Sequence, residues 1–235
     1  MPKSSKNSMN DKNPKLLFET ALTLLDKNSG SPKLFRKALK LIRRSADLGY
    51  AEAQSNMGYV YFHGYGVIRD LQEALRWYRL AADQGFAPAQ TNLGFMYAAG
   101  HGVGQDYVEA VNFFRRAVDQ GFAESQNALG FMYEHGIGVA QDYDEALKLF
   151  GLAAGQGYDV AADNLGFMYQ HGLGVAQDDR EADGWFEFAG HQRRYAPVNN
   201  HLGLKRLAEL FNTLKTKLND VDMLRCKGIK LPLTH

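Results

Sequence analysis

Apolar residues recur along the middle of the chain with the spacing of amphipathic helices. Leu93, Met96 and Tyr97 stand at positions i, i+3 and i+4, which places them on one face of an α-helix. A second apolar segment follows, in which Ala110 and Ala117 stand seven residues apart. The pattern therefore predicts a pair of helices joined by a short loop, which we call helix A and helix B.

This helix pair recurs at a fixed step through most of the chain. Glycine marks one position of helix A four times, each 36 residues after the last, at 58, 94, 130 and 166. The units are 51–86, 87–122, 123–158 and 159–194. Because one helix pair cannot bury its own apolar face, repetition predicts an all-α stack of pairs, a solenoid. The helix A glycine is predicted to face helix B, where two helices must approach closely.

Turn residues mark the ends of each predicted helix. Gly100 is expected to end helix A in the left-handed conformation. Asp106, with Glu109 three residues later, predicts a capping box in which aspartate accepts the N3 amide and glutamate accepts the cap amide. Gly121 followed by Phe122 predicts a Schellman ending for helix B.

The two ends of the chain differ from the repeats. Residues 13–50 align one period before the first unit and are predicted to form an N-terminal capping helix pair. Residues 195–235 are predicted to form C-terminal capping helices and a tail. Residues 1–12 are expected to be a disordered basic tail.

The complete motif A-x-x-N-L-G-x-x-Y-x-x-G-x-G-V-x-x-D-x-x-E-A resembles the Sel-1-like repeat family, which is related to the tetratricopeptide repeat. In the second unit the motif is carried by 92–97, 100–103 and Asp106. The third unit departs from it at Ala128, and the fourth has Arg193 in place of the terminal glycine. The resemblance implies a right-handed α/α superhelical solenoid that acts as a non-enzymatic adaptor or scaffold in protein–protein interactions.

The resemblance to tetratricopeptide repeats also implies a concave binding groove lined by helix A. One position of helix A holds an aromatic residue in every unit, and acidic or polar residues flank it. The predicted groove residues are Glu52, Ser55, Tyr59, Phe62, Thr91, Phe95, Glu124, Asn127, Phe131, Glu134, Asp163, Phe167 and Gln170. Such a groove would suit an apolar and basic polypeptide segment. Alternatively, the aromatic residues pack between neighbouring A helices.

Motifs for catalysis and metal binding are missing from the sequence. It contains no H-E-x-x-H, C-x-x-C, G-x-S-x-G or P-loop lysine motif. We therefore expect no enzymatic activity, no cofactor and no metal. His63, His135 and His171 share one repeat position, which we interpret as a polar helix C-terminus favoured by the helix dipole.

Composition and charge limit the classes of partner and compartment. The chain has 235 residues and a single cysteine, Cys226, which suits a reducing compartment. Because the N-terminus lacks an apolar signal segment and no long apolar run follows, we expect a cytoplasmic protein without membrane insertion. The net charge is +7 over residues 1–50, −12 over 51–190 and +6 over 191–235.

Three other functions stay open at this point. The resemblance also allows a toxin-neutralising (immunity-type) or regulatory binding protein. The basic ends, including a Lys and Arg stripe over 33–44, could bind an anion or nucleic acid, although a solvated face is the simpler interpretation and we do not expect a nucleic-acid partner. A hydrolase like the cysteine-rich relatives is least favoured, because those carry a disulfide in each repeat. The oligomeric state is left open.

Overall fold

The computed structural model describes residues 13–27 and 31–195, which form α-helices joined by turns and short loops. In chain order the helices of this described part are α1 Pro14–Lys27, α2 Pro32–Asp47, α3 Ala51–His63, α4 Leu71–Asp83, α5 Ala87–Ala99, α6 Tyr107–Val118, α7 Ala123–His135, α8 Tyr143–Gly155, α9 Asp159–His171 and α10 Asp179–Tyr195. Helices α3, α5, α7 and α9 are the A helices, and α4, α6, α8 and α10 are the B helices.

The chain divides into two compact units, with the boundary between Gln84 and Gly85. In the N-terminal unit, each of α1 to α4 packs against the helix that precedes or follows it, and α5 to α10 do the same in the C-terminal unit. This stacking of consecutive helix pairs confirms the predicted all-α solenoid. The predictions for 1–12 and, beyond Tyr195, for the C-terminal capping helices lie outside the described residues.

A glycine in each A helix receives an aromatic ring from the B helix of the same pair. A Cβ placed on Gly94 would lie 2.5 Å from the ring of Phe114, which is fully buried. This contact confirms that the helix A glycine faces helix B, because any larger side chain would collide with the ring. The same contact recurs in the other pairs between Gly58 and Tyr78, Gly130 and Phe150, and Gly166 and Phe186.

The predicted helix ends are largely confirmed. Gly100 follows α5 with a φ of 68°, and the amide of Phe122 donates to the carbonyl of Ala117, 3.1 Å away, as in a Schellman ending. The second loop glycine has a further role. A Cβ on Gly138 would lie 2.5 Å from the carbonyl oxygen of Tyr107, so only glycine lets this loop lie against the start of the preceding B helix.

The capping box at the start of helix B is only half correct. Asp106 Oδ1 accepts from the amide of Glu109 at 3.0 Å, as predicted. The cap amide of Asp106, however, donates to the carbonyl of Tyr97 at 2.9 Å, because the loop brings this amide to the last turn of helix A. Glu109 instead accepts from the side chain of Asn112. The corresponding amides of Asp70, Asp142 and Asp178 donate to the carbonyls of Tyr61, Tyr133 and Tyr169.

Candidate protein-binding surface

Small polar side chains join neighbouring A helices in the C-terminal unit. The hydroxyl oxygens of Thr91 in α5 and Ser125 in α7 are 2.6 Å apart and buried. Asn164 Nδ2 in α9 donates to Asn127 Oδ1 in α7 at 2.8 Å. These contacts set α5, α7 and α9 side by side, so that equivalent positions of the three repeats lie in a row.

A row of exposed phenyl rings follows these contacts along the helices. Phe95 stands four residues after Thr91, and Phe131 stands four residues after Asn127, which puts each ring one turn further along the same helix side. Phe95, Phe131 and Phe167 are 42%, 45% and 45% exposed, respectively. We call these three residues the phenylalanine column. Their exposure places them at the surface and not in the core.

Contacts within the chain hold the rings of the phenylalanine column in place. The ring of His135 stacks on Phe131 with centroids 4.2 Å apart, and His171 stacks on Phe167 at 4.1 Å. Phe95 has no such histidine and instead meets the buried ring of Phe114 edge-on at 5.1 Å. The sequence interpretation missed the histidine stacking, although the F-x-x-x-H spacing in two units indicated it.

The A helices of the C-terminal unit carry only negative formal charge at neutral pH. Helices α5, α7 and α9 contain no lysine or arginine. Their carboxylates are Glu124, Glu134, Asp159 and Asp163. Burial raises the pKa of Glu124. Burial raises the pKa of the nearby Tyr158 hydroxyl to about 12, with smaller contributions from the negative charges of Glu124 and Asp159.

Three of the predicted groove residues are buried and do not line an exposed surface. Ser55 and Thr91 are almost completely inaccessible, and Thr91 is used for the contact between A helices described above. Glu134 is only 7% exposed. Burial raises the pKa of its carboxyl group, and the charge of the adjacent His135 opposes this effect. The expectation that these three side chains line an exposed groove is therefore wrong.

The remaining predicted residues of the C-terminal unit differ in accessibility. Gln170 is exposed and lies in the last turn of α9. Asn127 and Asp163 are half-buried, and Asn127 holds its hydrogen bond to the neighbouring A helix. Glu124 is also half-buried. The accessible part of the predicted groove in this unit is thus the phenylalanine column with Gln170 and parts of the half-buried polar residues.

In the N-terminal unit the aromatic position has different surroundings. Tyr59 is half-buried, with its ring 4.3 Å from His63 and 5.7 Å from Tyr65. Burial raises the pKa of its hydroxyl to about 12. Phe62 is half-buried and lies under the guanidinium of Arg69. The half-buried Glu52 accepts a hydrogen bond from the hydroxyl of Tyr50 at 3.1 Å. These predicted groove residues are therefore more enclosed than the phenylalanine column.

The described residues contain neither a metal-binding cluster nor a membrane-spanning helix. Within 13–27 and 31–195 no group of three or more histidine, cysteine or acidic side chains could hold a metal ion. None of the helices described here combines the length and apolar character needed to cross a bilayer.

Comparison with known proteins identifies the repeat. A family model described as the Sel1 repeat matches residues 27–50, 51–86, 87–122, 123–158 and 159–192. The chain belongs to the Sel1 repeat family. The family model adds a match over 27–50, where the sequence alone predicts a capping pair. No curated protein sequence matches the chain significantly.

Solved structures include several that are similar to this Sel1 repeat chain. A Sel1 repeat protein from Oxalobacter formigenes is 29% identical, with a TM-score of 0.68 and coverage of 77% of this chain and 72% of that one. A protective antigen of uropathogenic Escherichia coli with an SLR fold, c5321, is 31% identical, with a TM-score of 0.72. The alignment covers 94% of this chain but only half of c5321.

A third solved structure is similar in fold alone. The immunity protein PA5088 of Pseudomonas aeruginosa is 20% identical over 94% of this chain and 88% of its own length, with a TM-score of 0.54.

Proposed function

We propose that this Sel1 repeat chain is a non-enzymatic adaptor or scaffold that binds a polypeptide segment on the A helices of its C-terminal unit. The observation that carries this proposal is the phenylalanine column, three exposed rings at one position of three adjacent repeats. Isolated surface aromatic residues need no explanation, but three at one position of adjacent packed helices form a row of exposed apolar side chains. Aromatic side chains are enriched among the residues that dominate binding energy at protein interfaces.

Each ring of the phenylalanine column contacts another aromatic ring of the chain when no partner is bound. Phe131 and Phe167 are stacked on histidines, and Phe95 rests on Phe114. Because their rotation is restricted in the free protein, binding orders them further at little entropic cost. The phenylalanine column is therefore suited to anchor apolar side chains of a partner.

The charge of the same helices favours a basic partner. Lysine and arginine are absent from α5, α7 and α9, whereas three half-buried acidic residues, Glu124, Asp159 and Asp163, are present on α7 and α9. Arg115, Arg116 and Lys148 lie on the B helices α6 and α8. Complementary charge speeds association and excludes partners of like charge. We accordingly propose a partner segment that is apolar and carries lysine or arginine. The toxin-neutralising alternative gains no separate support, because the likeness to PA5088 concerns the fold.

A peptide selection with two variants tests this proposal. A library of random-sequence peptides is selected on the full-length chain, and the enriched peptides are measured against Phe95→Ala/Phe131→Ala. We expect enrichment of apolar and basic residues, with binding lost in the double variant because two anchors are gone. The matched control is Leu152→Ala, which truncates a 48% exposed side chain on α8 and is expected to leave binding unchanged.

The stability of the variants distinguishes an exposed binding residue from a core residue. Because Phe95 and Phe131 are half exposed, each alanine substitution is expected to lower stability by much less than the roughly 3–5 kcal/mol expected for the buried Phe114→Ala. Thermal denaturation measures this difference. Peptides that bind the phenylalanine double variant as tightly as the wild type would refute the proposed surface.

A further inference from the structure

We propose that the segment bound by the phenylalanine column is a polyproline II helix with an apolar side chain at every third residue, running across α5, α7 and α9. This inference rests on the proposed function and specifies the backbone conformation of the partner. It follows from the spacing of the anchors, the hydrogen-bonding groups beside them and the charge of the surface.

The spacing of the anchors is set by the packing of the A helices. Thr91 and Ser125 meet through short side chains at 2.6 Å, and Asn127 and Asn164 meet at 2.8 Å. Helices in such contact have axes about 8–10 Å apart. Since Phe95, Phe131 and Phe167 occupy one position of three equivalent helices, the phenylalanine column repeats at about the same step.

Among the common backbone conformations, the polyproline II helix has a same-face repeat that falls within this range of about 8–10 Å. In a polyproline II helix every third residue lies on the same edge, and three residues advance about 9.3 Å. In a strand the residues of one face are about 6.6–6.8 Å apart. An α-helix offers residues seven apart, about 10.5 Å. Over two intervals that step advances about 21 Å, beyond the roughly 16–20 Å of the phenylalanine column, and the side chains drift around the helix by about 20° per heptad.

The two stacked histidines favour a partner with free backbone amides. His135 Nδ1 lies 3.0 Å from the carbonyl oxygen of Phe131, and His171 Nδ1 lies 2.9 Å from that of Phe167. A carbonyl needs a donor, so in the neutral ring Nδ1 carries the proton and Nε2 is an acceptor. A polyproline II segment makes no internal hydrogen bonds, so its non-proline amides can donate here. The amides of an α-helix are already used.

The acidic residues of the A helices favour basic residues in the partner, between its apolar anchors. Carboxylates on α7 and α9, with no lysine or arginine on either helix, favour lysine or arginine at the two positions that separate successive apolar residues. A polyproline II segment is also ordered before binding, which lowers the entropic cost of docking to an aromatic surface. The predicted partner motif is thus an apolar residue at every third position with proline and basic residues between.

Three synthetic peptides test the inference on the full-length chain. The first contains leucine at every third position with proline and arginine between, and the second has the same composition with leucine at every fourth position. The third is an alanine-based helical peptide with leucines seven apart and the same number of arginines. Circular dichroism verifies each free conformation, and fluorescence anisotropy measures binding. We expect the first peptide to bind about tenfold more tightly than the others, a difference of about 1.4 kcal/mol.

Variants of the chain identify where the peptide binds. Phe131→Ala is expected to weaken the first peptide about tenfold, and Leu152→Ala is expected to have no effect. Equal or tighter binding of the second or third peptide, sensitive to Phe131→Ala, would overturn the polyproline II inference and leave the proposed function intact. No binding of the first peptide, or binding insensitive to Phe131→Ala, would also overturn it. The random-peptide selection described above tests the proposed function independently of these three peptides.

Discussion

The hydroxyl oxygens of Thr91 and Ser125 lie 2.6 Å apart in the interior, although the two residues are 34 positions apart in the chain. Thr91 Oγ1 is also 2.9 Å from the carbonyl oxygen of Ala87. A hydroxyl group donates its one hydrogen to one acceptor, and the carbonyl of Ala87 can only accept a hydrogen bond. Thr91 therefore donates to Ala87 and accepts from Ser125. A position that the sequence assigned to a partner instead joins two repeats.

This direction of donation predicts unequal effects of removing each hydroxyl. Thr91→Val leaves the Ser125 hydroxyl without its buried acceptor and is expected to lower stability by about 1–3 kcal/mol. Ser125→Ala leaves Thr91 with its bond to Ala87 and is expected to lower stability less. Urea denaturation of both single variants and the double variant forms a double-mutant cycle. A larger loss for Ser125→Ala than for Thr91→Val would contradict the assigned direction.

The close approach of α5 and α6 at Gly94 gives a second prediction. Gly94→Val places a branched side chain where a single Cβ would already lie 2.5 Å from the Phe114 ring. We expect a loss of about 1–3 kcal/mol from this overpacking, measured by thermal denaturation. Gly151→Val is the matched control, because Gly151 is also inside a helix but a Cβ there would contact nothing within 4 Å. Valine has a higher helix propensity than glycine, so Gly151→Val is not expected to lose stability. Equal losses in the two variants would contradict the packing role of Gly94.

The sequence predicted the contacts within a helix pair far better than it predicted which side chains are exposed at the surface. The contact of Gly94 with Phe114 and the cap at Asp106 depend on residues within one 36-residue unit, so their spacing was visible in the repeat. The accessibility of Thr91 and Phe95 depends on how each A helix is rotated against its neighbour. Both residues lie on one side of α5, and only the stacking of repeats decides which of them is covered.

Some features were missed even though the sequence contained a signal for them. Gln120 Nε2 donates to Gln90 Oε1 at 2.8 Å, tying the end of helix B to helix A. Equivalent bonds join Gln84 to Gln54 and Gln156 to Gln126. The glutamines recur every 36 residues, but polar residues at surface-like positions give no apolar pattern from which burial can be inferred. The stacking of His135 on Phe131 was overlooked for the same reason.

The buried carboxyl group of Glu134 gives a prediction about pH. Its side chain is 8% exposed, and Oε2 lies 3.7 Å from Nδ1 of the more exposed His135. Burial raises the pKa of Glu134 above its ordinary value, and a positive charge on His135 lowers it only in part. The folded state therefore holds this proton more tightly than the unfolded state does. Stability is expected to fall as pH rises through the range between the ordinary pKa and the raised one.

Replacing this carboxyl by a neutral amide removes the cost of burying its charge. We expect Glu134→Gln to be more stable than the wild type near neutral pH, with a smaller decrease in stability over the range between the ordinary carboxyl pKa and the raised one. Glutamine occupies the equivalent position of the next repeat as Gln170, although that side chain is exposed. Urea denaturation across this pH range measures the effect, with Glu187→Gln on exposed α10 as the control. A Glu134→Gln variant that is less stable at neutral pH would mean that the carboxylate is stabilised by its surroundings, and that His135 outweighs burial.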